Sequence, residues 1–148
     1  RQADIVVTVA LEPNDIDLYQ SQKALDNGKT ALKDGGIIIL VSACRSGVGS
    51  QAFLDLLSSE PTCKAVIDKL DREYKLGYHK AGKMAEIGAR AQMWAVTPLD
   101  KSLIRKAHMR PFGSVSEALQ AALEEKGPAA KVTFIMDGGM TIPRLTVS

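Results

Sequence analysis

Most of what would mark out a specialised protein is scarce in this chain, and each shortage narrows what it can be. Only two of its 148 residues are cysteine, Cys44 and Cys63. They fall in different predicted surroundings and make no metal-ligand spacing, so reduced thiols fit better than a disulfide or a zinc site. Aromatic residues make up 5% of the chain and the formal net charge is +2. Lysine, arginine, aspartate and glutamate are evenly spread, which leaves neither a basic stripe nor a stacking platform for nucleic acid. The longest apolar run covers residues 37–41, far short of the about 20 needed to cross a bilayer. Secretory signal, internal repeat and low-complexity tract are all missing, and a cytoplasmic setting fits best. Complete catalytic sets are missing too. There is no Ser/His/Asp arrangement on a nucleophile elbow, no P-loop, no close His/Cys/Asp cluster for a metal, and no carboxylate pair at one strand end.

Hydrophobic residues account for 45%, enough to bury one ordinary core, so residues 1–148 read as a single domain. The chain opens on Arg1-Gln2 and runs at once into a core strand at 3–10, which predicts an excised domain or processed fragment of a larger protein. Strand and helix then alternate. A first helix is stopped by Gly35-Gly36, and the β-branched run at 37–43 reads as a strand covered on both faces. Helices are predicted at 51–58, 62–74, 79–89 and 114–126, with strands at 92–97 and 131–136. Ser114 caps the last helix and Gly127-Pro128 stops it. The pattern predicts a doubly wound α/β fold. Its sheet is mostly parallel, with about four to five strands, right-handed crossovers and helices on both faces.

The segment Asp15-Ile16-Asp17-Leu18-Tyr19-Gln20-Ser21-Gln22-Lys23-Ala24-Leu25 opens the first helix just after the first strand. Stepping about 100° per residue puts Leu18, Ser21, Ala24, Leu25, Gly28, Ala31 and Leu32 on a packed side. Ile16, Tyr19, Gln20, Lys23 and Asn27 fall on the other side, where Tyr19, Gln20 and Lys23 can converge on one ligand. Most such faces are simply solvated. Against that stand an aromatic hydroxyl on a supposedly wet face and the position of the group at the positive end of a helix.

Three further segments are expected on the same edge of the sheet. Cys44-Arg45-Ser46-Gly47-Val48-Gly49-Ser50 is a glycine loop whose amides could hold an anion, with Arg45 adding charge. It can be forced into G-x-G-x-x-A, but no acidic residue ends a following strand, and a tight turn explains the glycines equally well. Residues 76–82 place His79 at a helix start, where a lone histidine is more often structural than catalytic. Residues 137–143 bring Asp137 and Thr141 near a ligand, while Gly138-Gly139 permits close backbone approach. His108 reads as surface and Trp94 as core.

Taken in order, residues 15–24, Gly36-Ile37-Ile38-Ile39-Leu40-Val41, Cys44-Arg45-Ser46-Gly47-Val48-Gly49, Gly77-Tyr78-His79-Lys80-Ala81 and Asp137-Gly138-Gly139-Met140-Thr141-Ile142-Pro143 together resemble the C-terminal domain of the nickel-dependent lactate racemase family. The resemblance spans nearly the whole chain, and the Tyr-Gln-x-Gln-Lys turn is its specific part. It implies a 2-hydroxy-acid racemase, an isomerase using a nickel-pincer nucleotide held mainly by an N-terminal domain, with no cofactor in the fragment alone. That N-terminal domain and a small 2-hydroxy acid are the implied partners, an oligomer is compatible, and nucleic acid and membrane are not expected.

In that family the C-terminal domain closes the cleft and sends a Gln and a Lys into it, which map onto Gln20 and Lys23, with Tyr19 beside them. Racemisation by hydride removal and return needs the substrate carboxylate anchored while the opposite face is presented, which suits Lys23. Gln20 can hydrogen-bond substrate or cofactor oxygens without changing charge. The expected assignment is therefore Gln20 and Lys23 as catalytic, Tyr19, Lys23, Arg45 and His79 toward substrate, and Gln20 and Thr141 toward cofactor, with no metal ligand. Where relatives carry glycines before the proline, Leu11-Glu12-Pro13 brings bulk and a carboxylate, so a 2-hydroxy acid other than lactate is expected. The alternative of a different class is a nucleotide- or anion-binding α/β module without catalysis.

Overall fold

A computed structural model describes residues 1–73 and 78–146. The predicted helix end at Tyr74, and Leu76 and Gly77 of the third edge segment, lie outside the described residues. Five strands, β1 (Ala3–Val9), β2 (Leu32–Val41), β3 (Gln92–Val96), β4 (Met109–Phe112) and β5 (Val132–Ile135), form one sheet in the order β4-β3-β2-β1-β5. Every pairing is parallel. Interior strands of such a sheet are covered on both faces, which is why residues 5–7 of β1 and 37–41 of β2 are unbroken apolar runs. Among the described residues six α-helices connect or flank them: α1 (Leu18–Gly28), α2 (Gln51–Ser58), α3 (Cys63–Arg72), α4 (His79–Arg90), α5 (Lys101–Lys106) and α6 (Val115–Lys126).

Each face of the sheet carries its own core. On one, Val6, Ile38 and Leu40 meet Leu18 and Leu25 of α1, Phe53 and Leu57 of α2, Val66 of α3, Met84 and Ile87 of α4, and Ile104 of α5. On the other, Ile5, Val7, Ile37, Ile39 and Trp94 pack under Ala118 and Ala122 of α6. Trp94 is core, as expected, and its Nε1 donates to Gln92 Oε1 at 3.2 Å. His108 is not the surface residue expected. It is half-buried, with φ at 61° and Nε2 2.6 Å from the Leu57 carbonyl oxygen.

Around β2 the structure departs from the pattern expected of the sequence. Helix α1 ends at Gly28, a 3-10 turn covers Lys29–Ala31, and β2 begins at Leu32. Gly35 and Gly36 therefore lie inside a strand. Ala3 pairs Leu32 while Ile5 pairs Ile37, so the register shifts between them. Gly35 takes φ of 76°, and a Cβ on Gly36 would come within 2.8 Å of the Asp4 carbonyl. The glycines serve an irregular ladder, not a helix stop. Elements α5 and β4 were not foreseen either. Four residues containing Pro111 make a weak strand signal, and such a strand is tolerated because β4 lies at the sheet edge.

Strands β1 to β4 are laid down in one direction across the sheet, and β5 then returns to the far side of β1. Open α/β sheets bind ligands outside the carboxyl ends of their strands where the strand order reverses. Here that place is the exit of β1 beside the exit of β5. No described helix is long and apolar enough to cross a membrane.

Candidate functional site at the carboxyl edge of the sheet

After β1 the chain passes through a cis Glu12-Pro13 bond and a 3-10 turn at Asn14–Ile16 before Asp17 caps α1. Asp17 Oδ1 accepts from the Gln20 amide at 2.6 Å, the usual use of aspartate at this position. The glycine loop after β2 completes the cap. Gly47 and Val48 carbonyls accept from the Leu18 and Tyr19 amides, each at 3.0 Å. With Ser21 N bonded to the Asp17 carbonyl, the first four amides of α1 all have acceptors.

This arrangement changes the reading of the loop. The amides of Arg45, Ser46 and Gly47, expected to be available to an anion, donate instead to Asp15, Ile16 and Cys44 carbonyls. Arg45 itself pairs with Asp15 at 3.0 Å. The loop is a clamp on the start of α1. Gly49, at φ of 89°, lies so close to the Asp17 carboxylate that a Cβ there would overlap it. Beneath the clamp, Ser21 Oγ lies 2.7 Å from both Ser42 Oγ and the Asp17 carbonyl, joining α1 to the end of β2.

Two more segments meet this edge. Gly138 N donates to the Val9 carbonyl at 2.7 Å, and Asn27 Nδ2 donates to the Gly138 carbonyl at 2.8 Å. A Cβ on Gly138 would collide with Thr8 and Ala24, and one on Gly139 with Asn14. Asp137 is half-buried and its carbonyl accepts from Met140 and Thr141, whose side chains are exposed. At the start of α4, His79 is exposed.

The residue that sequence reasoning missed is the next one. Lys80 Nζ sits 4.2 Å from the centroid of the Tyr19 ring and 3.4 Å from the Tyr19 carbonyl. Burial lowers its pKa, the Asp17 charge opposes that, and Lys23 and Lys83 add to it. Its place beside His79 at a predicted helix start on the expected edge was the available signal. Tyr19 is half-buried, its ring edge-on to Phe53 with centroids 5.5 Å apart. Tyr19 is therefore a packed residue as well as part of the expected ligand-facing side of α1.

Gln20 and Lys23 are exposed, and Lys23 makes no ion pair among the described residues. Lys80 thus stands against Tyr19 and within electrostatic reach of Lys23, with Gln20 next to Tyr19 on the same first turn of α1. Arg45 is spent on Asp15, while His79 and Thr141 share the edge with no bonded contact to that group. Among the described residues no group of three or more His, Cys, Asp or Glu is placed to hold a metal. Ammonium and amide groups suit an organic anion and do not fit a metal.

Known proteins resemble this chain in sequence and fold. The lactate racemase of Lactiplantibacillus plantarum is 30% identical over 85% of this chain, which covers 31% of that protein. The lactate racemase of Thermoanaerobacterium thermosaccharolyticum is 29% identical over 97% of the chain, which covers 35% of it. The apoprotein structure from that organism superposes with a TM-score of 0.92 at 28% identity, over 98% of this chain and 36% of the other. A Thermotoga maritima protein, at 14% identity and a TM-score of 0.62, shares the fold alone. The chain spans about a third of the length of the curated relatives it matches. Residues 1–142 match the lactate racemase C-terminal domain, and on these grounds the chain belongs to that family.

Proposed function

We propose that this domain closes the substrate cleft of a 2-hydroxy-acid racemase and is inactive alone. The observation that carries the reading is Lys23, an exposed ammonium without an ion-pair partner among the described residues, on the first turns of a helix clamped at the sheet's switch point. Inverting the carbon next to a carboxylate requires that carboxylate to stay fixed while the two faces of the carbon are exchanged. Lys23 supplies the opposite charge for that anchor, and Gln20 one turn earlier supplies a neutral hydrogen bond. The first-turn amides of α1 are already bonded, so the attraction comes from side chains, with Lys80 adding positive charge behind Tyr19.

The nickel-pincer nucleotide expected of the family would be held by the remainder of the parent protein, since the donors of this chain do not fit a metal. Leu11 and Glu12 are exposed at the exit of β1. Bulk and negative charge at that rim favour a 2-hydroxy acid other than lactate. The test is Lys23→Ala in the full-length protein, assayed by chiral chromatography on a panel of 2-hydroxy acids. Racemisation is expected to fall by about two to four powers of ten, with the circular dichroism spectrum unchanged. An undiminished rate would remove Lys23 from the role.

A further inference from the structure

The two faces of the sheet are unequally covered. Helices α1 to α5 pack on one face, whereas on the other α6 alone of the described helices lies over β2, β3 and β4 and helps bury Ile5 and Val7 of β1, leaving Phe134 of β5 exposed. Glu125 reaches Gln92 at the start of β3 and Lys126 reaches the Gly35 carbonyl in β2, so the next flank of α6 turns toward β1 and β5. That flank carries Leu119 and Leu123. With Pro128, Ser116, Gln120 and Glu124 they line a surface trough of about 660 Å³.

The far wall of this region is β5. Its residues alternate, with Ile135 buried against the α1 side while Val132 packs under α6. Phe134 follows Val132 on the α6 side, beside Val7, and is 51% exposed; Met136 continues the row just past the strand at 66%. Across the buried Ile5 and Val7 of β1, these large apolar side chains and the apolar flank of α6 leave an apolar surface beside that helix.

We infer that this trough seats one amphipathic helix supplied by the remainder of the parent polypeptide. Three features identify the occupant. The matched relatives have well over half their length outside the part this chain covers. The exposed row ends at Met136, next to the Asp137–Gly139 backbone that packs against the β1 exit, so the trough borders the candidate site. Glu124 on the rim calls for a basic residue flanking the apolar face of the incoming helix. The inference rests on the two-part parent proposed above.

Thiol labelling of the full-length protein tests it. Met136→Cys and Gln120→Cys place thiols at exposed positions on the two walls, where neither should disturb folding, and Asp68→Cys on the outer face of α3 is the control. Native Cys44 and Cys63 are buried and contribute a slow background. Both wall thiols should react with a maleimide at least about tenfold more slowly than the control. Rates equal to the control would overturn the inference, and so would protection that disappears on dilution, which would mark a second copy as the occupant. Racemase activity is measured separately on the same samples. Protected walls without activity would sink the functional proposal alone, and exposed walls with activity would sink this one alone.

Discussion

The Tyr19 ring touches two helices besides its own, Phe53 on α2 and Lys80 on α4. Removing the hydroxyl leaves both ring contacts, so Tyr19→Phe should change stability by less than about 0.5 kcal/mol, whereas Tyr19→Leu should cost about 1–2 kcal/mol through loss of the aromatic and cation–π contacts. Urea titration of the two variants checks the difference. Stepping around a helix told which side of α1 faces the sheet but not what comes down on its other side, so the packing of Tyr19 between Phe53 and Lys80 could not be read from it. Lys23 and Gln20, which meet no such neighbour, were legible from position alone. Cys63 makes a second prediction at this scale. Burial raises its thiol pKa from 9.0 to about 11, so above pH 9 the unfolded chain releases a proton that the folded one keeps. Stability should therefore fall between about pH 9 and 11, and the Cys63→Ala variant should lose that part of the slope in chemical denaturation at stepped pH.

Among elements, the start of α1 depends on a loop distant in sequence. Gly49→Ala adds a Cβ against Asp17 and forces an L residue into φ near 89°, which should destabilise by about 2–4 kcal/mol. Activity of the parent protein should fall further than stability explains, because the turn that aims Gln20 and Lys23 would shift; retained kcat with lowered Tm would count against the clamp. Long periodic elements were readable beforehand. Helix α2 appears at its predicted bounds, and α4 and α6 within a residue. Short ones were not. The β4 strand is four residues with a proline and depends on pairing with β3, and the Gly35-Gly36 pair looked like a helix stop because the ladder irregularity it serves is created by β1, a different part of the chain. Tertiary pairing decides such cases, and local propensity carries no record of it.

For the whole molecule, the alternation of elements was enough to give a doubly wound sheet, and the sheet order then put the first and last edge segments together. What alternation could not give was the use of the glycine loop. Its spacing is compatible with an anion cradle, and only the hydrogen bonds to α1 and the preceding turn reveal a brace. The sheet order has one more consequence, in time rather than space. Of the five strands β1 leaves the ribosome first, yet one of its two neighbours is the last of them made. Until residues 132–135 emerge, β1 is an open edge and Thr8, Gly28 and Ala24 lack the Ile135 and Gly138 that pack on them. Contacts that span nearly the whole chain are slow to form, so the domain should complete folding only after its synthesis is nearly finished. A chain cut before Val132 is expected to lose cooperative thermal unfolding and to be digested by a protease at low dose, whereas one cut after Thr141 should keep both properties. Nascent chains stalled between those two lengths would show whether the final strand acts as a late latch on an otherwise assembled sheet.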